Sequence, residues 1–215
     1  MKVSKTLLAG VIVGLVGVFA FAASWYRDRH ESAADGAAAA AAERLERPYS
    51  ISLGPPGAPV TIVEFFDPEC EACRAMYPIV KQVLADFGDN VRLVIRYMPL
   101  HGNSVYASTL LEAARDQGRY WEYLDIIMER QPEWASHAAP RPELLLTYAP
   151  MAGLDVEQLR LAATNPELGS RIEQDREDGL ALGANRTPTI FVNGRPLLQL
   201  GYGPLRVAVE RALEQ

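Results

Sequence analysis

Cys70 and Cys73 are the only cysteines in the 215-residue chain, and two residues separate them. This spacing puts both thiols on the first turn of a helix, close enough to close a small disulfide ring. Backbone N–H groups at a helix N-terminus carry partial positive charge, which stabilises the first thiol as a thiolate. The pair follows the apolar run Val60 to Phe66 and leads into a helical pattern. A strand feeding such a helix is the setting in which C-x-x-C reads as a redox pair. A disulfide closing so short a loop restricts the unfolded chain very little, so stability is a poor reason for it. A tetrahedral metal site needs two more ligands, and His30, His101 and His137 are scattered without the paired spacing of zinc modules. A linear two-sulfur site for Cu(I) or another soft ion is a further, non-enzymatic reading.

The elements that must position this pair can be read on either side of it. Val60 to Phe66 is β-branched and aromatic, the best strand in the chain, and Tyr49 to Leu53 reads as a short strand before the turn Gly54-Pro55-Pro56-Gly57. Asp67-Pro68-Glu69 opens the cysteine helix, expected to run to about Phe87 with a kink at Pro78. Val91 to Tyr97 is a second buried strand, and strand, helix, strand in so short a span implies a right-handed parallel crossover. Helical spacing follows in Val105–Gln117, Arg119–Arg130, Pro140–Ala152, Val156–Ala163 and Pro166–Leu182. Strand character returns at Thr189–Val192, with a hairpin turn at Asn193-Gly194 and a partner strand at Pro196–Leu200, before a last amphipathic helix at Leu205–Leu213. The fold class is α/β, with helices inserted at about 102–182 of a domain expected over 48–215.

Apolar content of 49% and charged content of 22% are those of an ordinary globular protein, and a net charge of −6 argues against a nucleic-acid surface. The one acidic patch, Glu173 to Asp178, reads as a solvated helix face. Lys2 and Lys5 precede an uncharged stretch, Thr6 to Tyr26, and about 20 apolar residues suffice to cross a bilayer. Residues 1–26 are therefore expected to be a transmembrane anchor, or a signal segment cleaved after Ala20-Phe21-Ala22. Either way the rest of the chain is exported. Residues 27–47, alanine-rich at Ala37 to Ala42 and then charged, read as a spacer or a weak dimerisation helix.

Four stretches together resemble the thioredoxin superfamily, specifically the DsbA-like thiol-disulfide oxidoreductases with a helical insertion. They are Glu64-Phe65-Phe66-Asp67-Pro68-Glu69-Cys70-Glu71-Ala72-Cys73, Arg96-Tyr97-Met98-Pro99-Leu100-His101, Thr187-Pro188-Thr189 and Phe191-Val192-Asn193-Gly194. The resemblance implies a thioredoxin fold in which Cys70 is the exposed nucleophile and Cys73 the more buried resolving thiol. It implies that Pro188 is the cis proline facing the pair, with the Thr187 backbone free to pair with a client strand; alone, Thr-Pro is also a plain turn. Glu64 stands where the family carries a buried acid, and a raised pKa would let it exchange protons with Cys73. Its side chain could instead point outward on an edge strand. His101 is expected to cap or pack a loop. Trp121 and Trp134 are expected in the core, with a client groove as the alternative.

The implied chemistry is thiolate attack on sulfur, needing no cofactor. The implied partners are exported proteins with thiols or disulfides and a membrane redox partner, with the chain held at the inner membrane facing the periplasm, or periplasmic if the leader is cleaved. Strongly oxidising members carry Pro-His between the cysteines, and that histidine stabilises the thiolate. Here Glu71-Ala72 lies between them and Glu69 precedes Cys70. Like charge raises a thiolate pKa. The expectation is a less oxidising enzyme, with Cys70 titrating well above about 3.5. A reductase or isomerase of the same fold is the alternative.

Overall fold

The computed structural model describes Trp25, Gly36 and residues 39–215. The chain divides into two units, residues 1–43 and Arg44–Gln215. In the first, the described residues are helical, and the stretch Thr6 to Tyr26, Trp25 apart, lies outside the described residues together with much of the spacer. Among the described residues no helix is long and apolar enough to cross a membrane.

The second unit is built on two strands, β2 (Val60–Phe66) and β3 (Val91–Tyr97), paired in parallel from Val60↔Val91 to Phe66↔Tyr97. Both are buried along almost their whole length, as expected of parallel strands covered on both faces. β1 (Ile51–Leu53) lies antiparallel on β3, and β4 (Thr189–Val192) antiparallel on β2. The short β5 (Arg195–Pro196) closes the order β1-β3-β2-β4-β5. Strand residues alternate between faces. Ile62, Glu64 and Phe66 therefore share one side of β2, and Val63 and Phe65 the other, each apolar set in its own buried cluster.

The crossover between β2 and β3 is helix α1 (Glu71–Phe87). Cys73, Met76, Val80 and Val83 recur at three- and four-residue intervals and form its buried stripe, with Pro78 inside the helix. The helix ends at Gly88, whose φ of 52° lies in the left-handed region that glycine tolerates. Between β3 and β4 stand α2 (Ser104–Ala114), α3 (Tyr120–Glu129), α4 (Gln131–Trp134), α5 (Leu144–Tyr148), α6 (Val156–Ala162) and α7 (Pro166–Ala181); α8 (Tyr202–Leu213) ends the chain. Tyr77 on α1 donates to Asp125 on α3 at 2.7 Å, joining the crossover helix to the insertion. Trp134 is fully buried and donates its indole N–H to the Ile127 carbonyl at 2.8 Å. Trp121, half-buried, packs edge-on against Tyr120.

Several expected elements come out shorter. The helix expected over Pro140–Ala152 reduces to α5 and a 3-10 turn, Ala149–Ala152, that ends at Gly153 with φ 75°. Pro150 lies in that turn, where the missing N–H and the bulk of its ring disfavour a continuing α-helix. The strand expected over Pro196–Leu200 stops at Pro196, which has no N–H to give; Leu197 makes one further hydrogen bond to the Ile190 carbonyl and Leu198 turns out to solvent. The α4 turn was not anticipated, its four residues being too few for a periodic signal.

The acidic patch requires the largest correction. Glu173 and Glu177 face solvent, but Asp175 and Asp178 are buried, because α7 packs against β3 and brings them onto Arg96. Arg96 is fully buried and donates to Asp175 at 2.8 Å and to Asp178 at 2.7 Å. Asp175 also accepts from the Tyr97 N–H and the Tyr49 hydroxyl, and Arg47 forms a two-pronged pair with Asp178 at 2.8 Å. The compact unit correspondingly starts at Arg44 rather than Pro48. The Arg44 carbonyl accepts from Arg96, Leu45 packs on the Val63–Phe65 side of the sheet, and Glu46 pairs with Arg92.

Candidate active site

The two cysteines sit where β2 gives way to α1. Cys70 is the residue immediately before the helix, in extended conformation (φ −78°, ψ 124°), and its N–H donates to the Asp67 carbonyl at 3.1 Å. Cys73 lies one turn in. Both are free thiols; Cys70 keeps 7% of its surface exposed and Cys73 none. The Asp67 N–H donates to Cys73 Sγ at 3.5 Å. Across the site the Thr187–Pro188 bond is cis, and Cys70 Sγ lies 3.5 Å from the Thr187 carbonyl oxygen. The fold thus gathers Cys70, Cys73, Thr187 and Pro188 at one end of the sheet.

Glu64 is on the central strand, opposite Ile95 on β3 and Ile190 on β4, so it is not on an edge. It is buried on the side of β2 that faces Cys73, and among the described residues no protein group hydrogen-bonds either carboxylate oxygen. Burial, reinforced by the negative charge of Cys70, raises its pKa to about 8. The two thiols are pushed in opposite directions. A hydrogen bond from Cys73 outweighs the opposing effect of burial at Cys70, and the Cys73 and Ala72 N–H groups add to it, lowering the Cys70 pKa to about 5. Burial, together with the proton held toward Cys70, drives Cys73 far above the ordinary thiol range.

The acids that were expected to raise Cys70 are engaged elsewhere. Glu69 turns into the protein and accepts from the Asn103 backbone at 2.6 Å and side chain at 2.9 Å. Glu71 points outward and meets His137 Nε2 at 2.8 Å.

The family described as Thioredoxin matches residues 46–210. The chain belongs to this family. A thioredoxin-like oxidoreductase from Silicibacter pomeroyi is 33% identical, with a TM-score of 0.70 over 80% of this thioredoxin-family chain and 98% of that one. BdbD from Bacillus subtilis, in its oxidised form, is 25% identical with a TM-score of 0.70, over 77% of this chain and 94% of that one. The catalytic domain of Proteus mirabilis ScsC, at 16% identity and a TM-score of 0.69 over 82% and 97% of the two chains, shares the fold. The chain is thus similar over most of its length to a thioredoxin-like oxidoreductase and to BdbD. Among curated relatives, the Na(+)/H(+) antiporter NhaA of Herminiimonas arsenicoxydans is 40% identical over 144 residues, covering 67% of this chain and 22% of the antiporter. NhaA 1 of Salinispora arenicola is 39% identical over 145 residues, 66% and 21% of the two. The thioredoxin-family chain thus matches about a fifth of the length of these relatives.

Sequence reasoning gave no site role to Asp67 or Gln131 and gave His101 only the capping or packing of a loop. Asp67 is fully buried beneath Cys70 and accepts from the Glu69 N–H, the Leu100 N–H, the Ser104 hydroxyl and His101. Asp67 and His101 both fall in stretches that carry the family resemblance, which was the available signal. Gln131, buried in α4, donates to the Pro68 and Cys70 carbonyls. Nothing in its sequence surroundings marked it. Among the described residues no group of three or more His, Cys, Asp or Glu is arranged to hold a metal ion.

Proposed function

We propose that Cys70 and Cys73 form the redox pair of a thiol-disulfide oxidoreductase that introduces or exchanges disulfides in exported proteins. The observation carrying this reading is the geometry of the pair, Cys70 immediately before α1 and 3.5 Å from the Thr187 carbonyl oxygen with Cys73 fully buried one turn on. The opposed tuning of the two thiols, Cys70 lowered to about 5 and Cys73 raised, accords with it. A stabilised Cys70 thiolate favours the dithiol form, and so favours giving the disulfide away. In that direction a client thiolate attacks Cys70 Sγ and the Cys70–Cys73 bond breaks. Cys73 departs as a thiolate and takes the proton that Glu64, with a pKa of about 8, still holds at neutral pH. A second client thiolate then attacks the client sulfur of the mixed disulfide, releasing the client disulfide and the Cys70 thiolate. Thr187, whose carbonyl oxygen lies 3.5 Å from Cys70 Sγ, and the cis bond to Pro188 mark the side from which the client sulfur would approach.

The apolar stretch Thr6 to Tyr26 supports tethering at the inner membrane facing the periplasm, with a membrane protein restoring the disulfide. The shared stretch in sodium/proton antiporters, which are membrane transporters, supports a module that works beside a membrane protein. The deciding experiment is the equilibrium reduction potential of the full-length protein in glutathione buffers. A value in the range from about −180 to −120 mV fits a disulfide donor or isomerase; one near about −270 mV means a reductase fed by a membrane electron donor. No redox equilibrium, together with Cu(I) binding that is lost in Cys70→Ser, means a soft-metal module.

A further inference from the structure

The acidity of the motif has a structural counterweight that the mechanism above does not use. Asp67 is a fully buried carboxylate with four donors on it, and of those only His101 can bring a positive charge. A buried carboxylate favours a charged partner at hydrogen-bond distance, and His101 Nδ1 stands 2.7 Å from Oδ2. His101 is thereby fixed against the turn that leads into α1, because Asp67 also takes the Glu69 N–H on its carboxylate and the Cys70 N–H on its carbonyl. Its ring centre lies 6.0 Å from that of His137, whose Nε2 in turn contacts Glu71 inside the motif. The titratable groups around the His101 ring are Asp67 beneath it, Glu69 and Cys70 on the loop, and Glu71 and His137 beyond.

Resting on the redox reading above, we infer that His101, anchored by Asp67, is the positioning residue that holds a positive charge beside the Cys70 thiolate, and that its protonation is coupled to the redox state of the cysteine pair. Partial burial works against the charged ring, yet the hydrogen bond to Asp67 and the charges of Asp67, Cys70 and Glu69 hold His101 above the ordinary histidine range. Between about pH 5 and the His101 pKa, the reduced site then contains a thiolate and an imidazolium together.

Coupling follows from charge balance. Re-oxidation by a disulfide-bearing partner breaks the partner's S–S bond and forms Cys70–Cys73. The partner takes both electrons as its two sulfurs are released, and the Cys73 proton leaves with one of them. The negative charge at Cys70 disappears. His101 then holds its proton less tightly, and by reciprocity the loss equals the support it gave the thiolate.

The test is an NMR titration of the histidine rings in the full-length protein, reduced and oxidised; the chain has three histidines, and His101→Gln assigns the resonance. The expected result is a His101 pKa about one unit higher in the dithiol than in the disulfide form. Cys70→Ser should match the disulfide value. In His101→Gln the Cys70 thiolate, followed by absorbance at 240 nm, should titrate about one unit higher than in wild type. Equal His101 values in the two redox forms overturn the proposal and leave the redox reading standing, as does a shift confined to His137. If no disulfide forms, the redox reading fails, and the comparison of wild type with Cys70→Ser still decides whether His101 senses the thiolate.

Discussion

Gln131 Nε2 donates to the Cys70 carbonyl at 3.0 Å and to the Pro68 carbonyl at 2.8 Å, so a side chain from the inserted helices grips the loop that presents the first cysteine. The Cys70 carbonyl is also the first acceptor of α1, taking the Arg74 N–H at 3.1 Å. Orienting this peptide orients the Ala72 and Cys73 N–H groups that support the thiolate. Gln131→Leu leaves the Pro68 carbonyl without that donor and is expected to cost about 1–3 kcal/mol in urea denaturation. The same variant should raise the Cys70 pKa above about 5, read by absorbance at 240 nm. An unchanged Cys70 titration would mean that the β2–α1 turn holds its shape unaided.

Glu64 and Cys70 make opposite contributions to stability as pH changes. The Glu64 pKa rises on folding from 4.5 to about 8, so its contribution is full below about 4.5 and is lost as pH climbs to 8. The Cys70 pKa falls from 9.0 to about 5, so its contribution is full above 9 and is lost as pH falls through 5. The Glu64 effect is worth on the order of 5 kcal/mol at its limit and the Cys70 effect, weakened by solvent screening, less, so in the reduced protein they partly offset one another. In Cys70→Ser, stability should therefore fall between about pH 4.5 and 8. In reduced Glu64→Gln it should rise between about pH 5 and 9. Urea midpoints across pH measure both, and a flat profile for Cys70→Ser would show that Glu64 ionises freely.

Arg96 holds two buried carboxylates, Asp175 and Asp178, and Asp178 alone has a second cation in Arg47. Arg96→Met should destabilise by about 3–5 kcal/mol, because Asp175 loses its counter-charge while staying buried. Combining it with Asp175→Asn should recover part of that loss, measured by denaturant unfolding. If the double variant is no better than the single one, the damage is one of packing and not of charge.

Gly179 on α7 leaves no room for a side chain. A Cβ there would stand 2.8 Å from Cδ1 of the Phe65 ring, which itself packs edge-on against Phe191. Gly179→Ala gains up to about 1 kcal/mol in helix propensity. Displacing a ring from a filled core costs about 1–3 kcal/mol, so net destabilisation is expected. A higher melting temperature in the variant would show that the Phe65 ring yields freely.

The parts of this protein legible in its sequence are those whose signal is local. β2 and β3 declare themselves as β-branched, aromatic and apolar runs and α1 by its helical pattern; the spacing of Cys70 and Cys73 marked the pair, and the four family stretches brought Glu64, Thr187 and Pro188 to notice. What escaped was non-local charge pairing. Asp175 and Asp178 read as surface acids because their partner Arg96 is 79 residues away from the nearer of them. Glu69 and Glu71 read as neighbours that would raise the Cys70 pKa because their true partners, Asn103 and His137, arrive from the insertion. Gln131 is an ordinary polar residue until α4 turns it beneath Cys70.

The clasp at Arg44–Arg47 also decides where mechanical load enters the domain. Arg44, Glu46 and Arg47 bind Arg96 and Arg92 on β3 and Asp178 on α7, and Leu45 lies against Val63 and Phe65. These contacts are on the face of the sheet away from Cys73 and α1. A pull or twist from the chain before Arg44 is therefore taken up by the buried arginine and the back of the sheet. The cysteine turn, reached only through the thickness of that sheet, is separated from tension that enters at Arg44.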